Sequence, residues 1–162
     1  MTETFDIRQA TPADYAELLP LHRALYIDLQ GALLPPQVAR LSAYRNFERV
    51  LSDDLRGLLS GPPSLVLMSP GEHGAVGYIS GQLQLEPGRV LTRRAVIEDW
   101  FVRESARGTG VGRALFEHFE AAMRDRGAEL IETTTWAPHA EARARYARLG
   151  FDEVQVVLRR PL

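Results

Sequence analysis

Between Val96 and Met123 the chain changes its hydrophobic period, with three glycines at the joint. Val96-Ile97-Glu98-Asp99-Trp100-Phe101-Val102 reads as a strand, and Val111, Leu115, Phe119 and Met123 then recur every fourth residue with Arg113, Glu117, Glu120 and Arg124 on the opposite side. A strand that passes through a short turn directly into an amphipathic helix calls for an α/β unit in which the strand end and the helix start share one corner. Gly108, Gly110 and Gly112 alternate in that turn. Without β-carbons the backbone turns tightly and lets an anion approach several N–H groups, while the helix start adds roughly half a positive charge. Two phosphate-binding families are excluded by spacing. A dinucleotide fingerprint needs a glycine at 113, which is arginine, and a Walker loop needs lysine then serine or threonine after Gly112. A cradle for another phosphate carrier and a glycine-rich connection without a ligand both remain.

The flanking segments supply a sheet and two more helical regions. Phe5–Gln9 alternates apolar and polar residues, and Thr11-Pro12-Ala13-Asp14 opens a helix that carries Tyr15, Leu18, Leu19, His22, Leu25, Tyr26 and Leu29 and ends near Gly31. Leu33-Leu34-Pro35-Pro36 is a break, and Gln37–Leu59 reads as one or two helices stopped by Gly61-Pro62-Pro63. Leu65–Met68, Ala75–Leu85 and Arg94–Val102 form an expected antiparallel meander. After Gly127 come a strand over Leu130–Trp136, a helix over Glu141–Leu149 closed by Gly150, and a last strand over Phe151–Leu158. The expected order is β-α-α-β-β-β-α-β-α-β, with helices on both faces of a mixed, mostly antiparallel sheet. No repeat or linker divides residues 1–162, so one domain is expected.

Composition removes whole classes of chemistry. The 19 basic residues are all arginine, which excludes a Schiff-base lysine, a phosphate-loop lysine and a kinase lysine, and the absence of cysteine excludes disulfides, thiolate zinc sites and a cysteine nucleophile. Against 21 acidic residues the net charge is −2, so no basic field invites nucleic acid or anionic membrane. No apolar run approaches the ~18 residues of a membrane helix. A cytoplasmic protein is expected, and the four histidines share no metal spacing.

The pattern Arg107-x-x-Gly110-x-Gly112, preceded by Val96–Val102 and followed by Ala142-x-x-x-Tyr146-x-x-x-Gly150-Phe151, resembles the GNAT superfamily of acyl-CoA-dependent N-acetyltransferases. The opening Ile7–Asp14 is similar to that family's first strand and helix start, so the resemblance covers nearly the whole chain. It implies a GNAT-like fold and acetyl-CoA as co-substrate. It further implies that Arg107, Gly108, Thr109, Gly110, Val111, Gly112 and Arg113 wrap the CoA pyrophosphate and that the backbone at Phe101 and Val102 pairs with the pantetheine arm. His139 departs from the pattern, because the family usually carries an asparagine there to hold the arm. A neutral imidazole either donates or accepts at a given nitrogen, whereas an amide does both, so cofactor affinity or acyl-chain choice is expected to differ.

An amine acceptor must lose a proton before attack, and neutrality at pH 7 costs roughly 4 to 5 kcal/mol for an amine of pKa near 10.4. Glu98 is the candidate base or water-orienting group. By simple alternation it shares a face with Trp100 and Val102, with Asp99 on the other face unless a bulge intervenes. The Glu98-Asp99 pair resembles that of the family's diamine and polyamine acetyltransferases. The plainer alternative makes both acids solvated strand residues. Tyr146 matches the family's tyrosine that protonates the departing thiolate, a transfer uphill by roughly 2 kcal/mol, and its alternative role is packing on Phe151.

These readings together lead to an N-acetyltransferase acting on a primary amine, expected to be small and cationic, by direct attack in a ternary complex without metal. An acyl-CoA-binding regulatory module without turnover and a peptide or protein N-terminal acetyltransferase are the alternatives. The expected partners are a small-molecule amine and neither nucleic acid nor membrane, with a homodimer left open.

Overall fold

A computed structural model describes residues 5–31 and 34–162; Leu33 and the side chain of Leu29 lie outside the described residues. The first turn is set by Asp14. Its carboxylate accepts hydrogen bonds from Thr11 N at 2.8 Å and from the Arg8 guanidinium at 2.6 and 3.0 Å, and the Arg8 pairing holds its pKa far below the usual carboxylate range. From that point α1 (Tyr15–Gly31) follows β1 (Arg8–Gln9). The region expected as one or two helices divides into a short α2 (Pro36–Ala39) and α3 (Phe47–Leu58).

Five strands form one sheet in chain order: β1, β2 (Ser64–Ser69), β3 (Gly77–Leu85), β4 (Arg93–Val102) and β5 (Leu130–Thr133). All neighbours are antiparallel except β4 and β5, which are joined through α4 (Val111–Asp125) and run parallel. The run Leu65-Val66-Leu67-Met68 is apolar without alternation because both faces of β2 are covered. Val66 and Met68 meet Leu18, Leu21, Leu25, Leu55 and Leu58 of α1 and α3, whereas Leu65 and Leu67 join Val111, Leu115, Phe119 and Met123 of α4. Each such buried side chain contributes about 1.5 to 3 kcal/mol.

Two features differ from the sequence expectation. The β3–β4 register shifts between Ser80 and Gly81, which pair with Asp99 and Ile97 and leave Glu98 without a partner on β3. This bulge breaks the assumed alternation. Trp100 and Val102 pack on the α4 side, Asp99 is buried with Ser80, and Glu98 accepts a bond from Gln82 in the exposed margin instead of sharing the Trp100 face. A β-carbon at Gly81 would run into the Val96 carbonyl and lie 2.7 Å from Phe119 Cζ, so glycine is required where the strands close on α4.

The second difference is the C-terminal segment. No strand forms after α5 (Ala140–Arg148), and Val154, Val156, Val157 and Leu158 are exposed. Apolar alternation becomes a strand only beside an edge that pairs with it. Here Arg143 draws Glu153 into a fork of 2.6 and 2.9 Å, and Arg159 reaches Ser42 Oγ at 2.6 Å while lying over Trp136. β5 likewise stops at Thr133, short of Trp136, because its pairing with β4 ends there.

Candidate active site

Ile97 and Thr133 are the last paired residues of β4 and β5, while β4 continues to Val102. The edge of residues 98–102 that faces β5 is therefore unpaired by strand contacts and opens as a groove. Four groups border it.

The glycine turn lies at its end. Gly108 and Gly110 have φ of +81° and +101°, values that favour glycine, and Gly110 is the residue before the first turn of α4. The first intrahelical bond is Ala114 N to Gly110 O at 3.0 Å, so the helix itself does not consume the amides of Val111, Gly112 and Arg113. Thr109 Oγ1 bonds Ala106 O at 2.8 Å and braces the turn. Arg107 spans it by donating to Val102 O at 3.0 Å and stacking over Phe101 at 5.6 Å, while Arg113 is paired to Glu117 at 2.7 Å. A cleft of about 390 Å³ also touches Ala106, Thr109 and Val111, but it opens toward Ser69 and Pro70 and borders neither Asp99 nor Tyr146. The groove between β4 and β5 is the better match to the chemistry because it holds both.

On the far side α5 brings Tyr146 and His139. Tyr146 is half-buried, 5.9 Å from the Trp100 ring and 5.4 Å edge-on from Phe151, beside the Thr133 hydroxyl. Burial pushes its phenol above the ordinary value, and the charge of Asp99 adds to the push, which keeps the proton on oxygen at neutral pH. His139 precedes the first turn of α5, and its Nδ1 is buried without a hydrogen-bond partner.

The remaining group was not singled out by the sequence. His22 of α1 is wholly buried, with Nδ1 2.7 Å from Tyr78 Oη and 3.4 Å from Asp99 Oδ2. Its Nε2 lies 3.2 Å from Asp54 Oδ2 of α3, off the line of a good hydrogen bond, so that contact is mainly coulombic. Ser80 Oγ donates to Asp99 at 3.2 Å and Tyr26 Oη to Asp54 at 2.8 Å. Burial opposes a charge on His22, but Asp54 and Asp99 outweigh it and push the imidazole up to about 9; His22 and Tyr26 in turn hold Asp54 below its ordinary value against burial. Burial and the nearby carboxylates keep Tyr26 and Tyr78 protonated. The available signal was a titratable residue inside the apolar stripe Leu18-Leu21-Leu25 and an aspartate between Leu51 and Leu55.

Residues 33–151 match the Acetyltransferase (GNAT) family. An aminoglycoside N(6')-acetyltransferase type 1 from Stenotrophomonas maltophilia is 29% identical over 160 residues, 96% of this chain and 93% of the relative. A mutant of the BH1408 protein from Bacillus halodurans superposes with a TM-score of 0.77 and 25% identity, covering 97% of this chain and 99% of that one. The aminoglycoside N-acetyltransferase AAC(6')-Iy in complex with CoA shares the fold at TM-score 0.75 and 17% identity, over 98% and 95%. The chain belongs to the GNAT family of acetyltransferases. It is an acetyl-CoA-dependent N-acetyltransferase. Among the described residues no helix is long and apolar enough to cross a membrane.

Proposed function

We propose that the protein transfers an acetyl group directly to the primary amine of a small cationic acceptor within a ternary complex. The observation that carries this reading is the opening of β4 from β5 beyond Ile97 and Thr133, where the glycine turn, Tyr146 and Asp99 border one groove. Acetyl-CoA supplies an activated thioester when bound.

The residues present suit it. The amides of Gly112 and Arg113, which the helix does not bond, and the left-handed glycines form a cradle for the pyrophosphate at Arg107–Arg113, and the unpaired edge at Phe101 and Val102 offers backbone partners to the pantetheine arm. The orphaned Nδ1 of His139 gives a further polar contact, in place of an amide. Arg107 reaches the groove only after exchanging its bond to Val102 O, so its resting role is to brace the turn.

For the transfer itself, Glu98 or Asp99, directly or through one water, takes the proton of the acceptor ammonium, and the neutral nitrogen attacks the thioester carbon. As the carbon–sulfur bond breaks, Tyr146 Oη gives its proton to the departing sulfur, and the second proton lost by the attacking nitrogen returns the phenolate to phenol. Cationic preference is supported by the two aspartates around His22, and an amine acceptor of the aminoglycoside kind is supported by the relative whose name carries that activity.

The test is a panel of polyamines, amino sugars, weakly basic aryl amines and short peptides, read as thiol release with acetyl-CoA. Transfer favouring polycationic amines is expected. A preference for neutral or anionic acceptors overturns the charge argument, and preferred acetylation of peptide N-termini moves the activity to protein substrates. Glu98→Gln is expected to lower kcat/KM at neutral pH and recover partly where the amine is already deprotonated, and Asp99→Asn to raise the acceptor KM. A Glu98→Gln profile that overlays the wild type leaves Asp99 as the base.

A further inference from the structure

Behind Asp99 lie a buried histidine and a second, half-buried aspartate that take no part in the transfer itself. His22 is fully buried on α1, and each ring nitrogen faces a carboxylate oxygen, Nδ1 toward Asp99 of β4 and Nε2 toward Asp54 of α3. The hydrogen bond of Nδ1 is to Tyr78 Oη at 2.7 Å: a protonated ring donates there and leaves the phenol proton for Asp99, whereas a neutral Nδ1 would take the phenol proton and turn a lone pair toward Asp99, 3.4 Å away. The other groups facing the ring are the neutral hydroxyls of Tyr26 on its own helix, which donates to Asp54, of Ser80 on β3, which donates to Asp99, and of Tyr78 on β3, whose oxygen accepts from the protonated Nδ1. Among the described residues the only charged groups paired with the ring are Asp54 and Asp99.

We infer that His22 is a positioning residue of the acceptor site, held as an imidazolium between Asp54 and Asp99 so that the buried cluster keeps one net negative charge and presents it through Asp99 to the acceptor ammonium. The inference rests on the cationic-acceptor reading. With both aspartates ionised and the histidine neutral, two like charges would share a buried site at high cost, while with one aspartate removed the cluster is neutral and attracts no cation. The three-residue arrangement leaves a single charge, and the strand position of Asp99 beyond Ile97 brings that charge to the groove. Asp54, which is 37% exposed, lies at the solvent end of the cluster. The raised pKa of His22, pushed up by the two aspartates against burial, is consistent with this arrangement. A metal ion is the other use of a His-Asp-Asp cluster, and it would take the place of a ring proton, so the protonation of both ring nitrogens separates the two uses.

The inference is tested in the whole chain by two readouts. The first is nitrogen-15 NMR of the histidine rings: His22 is expected to carry protons on both nitrogens at neutral pH, with a midpoint well above that of an ordinary histidine, lowered in both Asp54→Asn and Asp99→Asn. A neutral His22 at pH 7 overturns the inference even if no variant folds. The second is the acceptor dependence of Asp54→Asn, which removes one charge of the cluster and leaves Asp99 in place. Its KM is expected to rise about fivefold or more for a cationic polyamine and to stay unchanged for an aryl amine that is neutral at assay pH, with KM for acetyl-CoA unchanged. An equal loss on both acceptors assigns the cluster to folding alone and overturns the positioning role. Failure of the cationic-acceptor reading shows separately, as wild-type enzyme that does not favour polycationic amines while its His22 is still doubly protonated.

Discussion

Tyr78 Oη stands 2.7 Å from Nδ1 of His22, joining the middle of the sheet to the middle of α1 by a polar contact inside an apolar layer rich in leucine. Both residues are fully buried. Such a contact tolerates little displacement, since any parting leaves a phenol or a ring nitrogen unsatisfied at about 1 to 3 kcal/mol each. The position of α1 on the sheet is thereby coupled to the charge state of the cluster that adjoins the groove.

That coupling predicts a pH dependence of stability. The imidazole of His22 is raised in the folded chain from its ordinary 6.5 to about 9, so its contribution is complete below pH 6.5, where folded and unfolded chains are both protonated. It declines between these values and is lost as pH rises through about 9. Urea unfolding of wild type and His22→Gln should therefore show a stability gap that narrows with rising pH. A gap that stays constant from about pH 6 to about pH 10 means that His22 is not charged in the native state.

Replacing Gly110 by valine should weaken acetyl-CoA binding by at least about tenfold, or ~1.4 kcal/mol. The reason is local: the backbone there has φ of +101°, and the new side chain would also press on Phe5, whose ring atoms already lie 3.4 Å from a β-carbon position. Calorimetry on the folded variant decides it, and unchanged affinity would remove the turn from the phosphate site.

For Tyr146→Phe the ring contacts with Trp100 and Phe151 survive and only the proton is lost. Single-turnover acetyl transfer should slow by about 10²-fold or more while acetyl-CoA affinity holds. Wild-type speed in that experiment excludes the phenol as the acid.

Gly81→Ala should lower stability by about 2 kcal/mol or more, because its β-carbon meets the Val96 carbonyl on one side and Phe119 on the other. The control is Gly88→Ala, where nothing lies within 4 Å and the change should stay within about 0.5 kcal/mol. Chemical unfolding of both compares them; equal stability would show that the bulge at Ser80 and Gly81 yields easily and does not pin Asp99.

Much of the fold was legible because it depends on neighbours along the chain. The four-residue period of Val111, Leu115, Phe119 and Met123 places one face of α4 toward the sheet wherever the sheet lies, and Gly108 and Gly110 mark left-handed backbone by their identity alone. The same locality made the strands β2, β3 and β4 and the turn before α4 readable, and with them the corner suited to a phosphate. Pairing is different, since it needs a partner supplied from elsewhere. The alternation after Phe151 did not become a strand, since an ion pair at Glu153 and a hydrogen bond from Arg159 to Ser42 hold that segment to other elements, and the bulge opposite Gly81 took Glu98 off the Trp100 face that strict alternation assigned to it. His22, Asp54, Tyr78 and Asp99 belong to four different elements, and no local pattern ties them together. Only the packing of α1 and α3 on one face of the sheet brings them within reach, because removing water from that face forces each buried charge to find a partner.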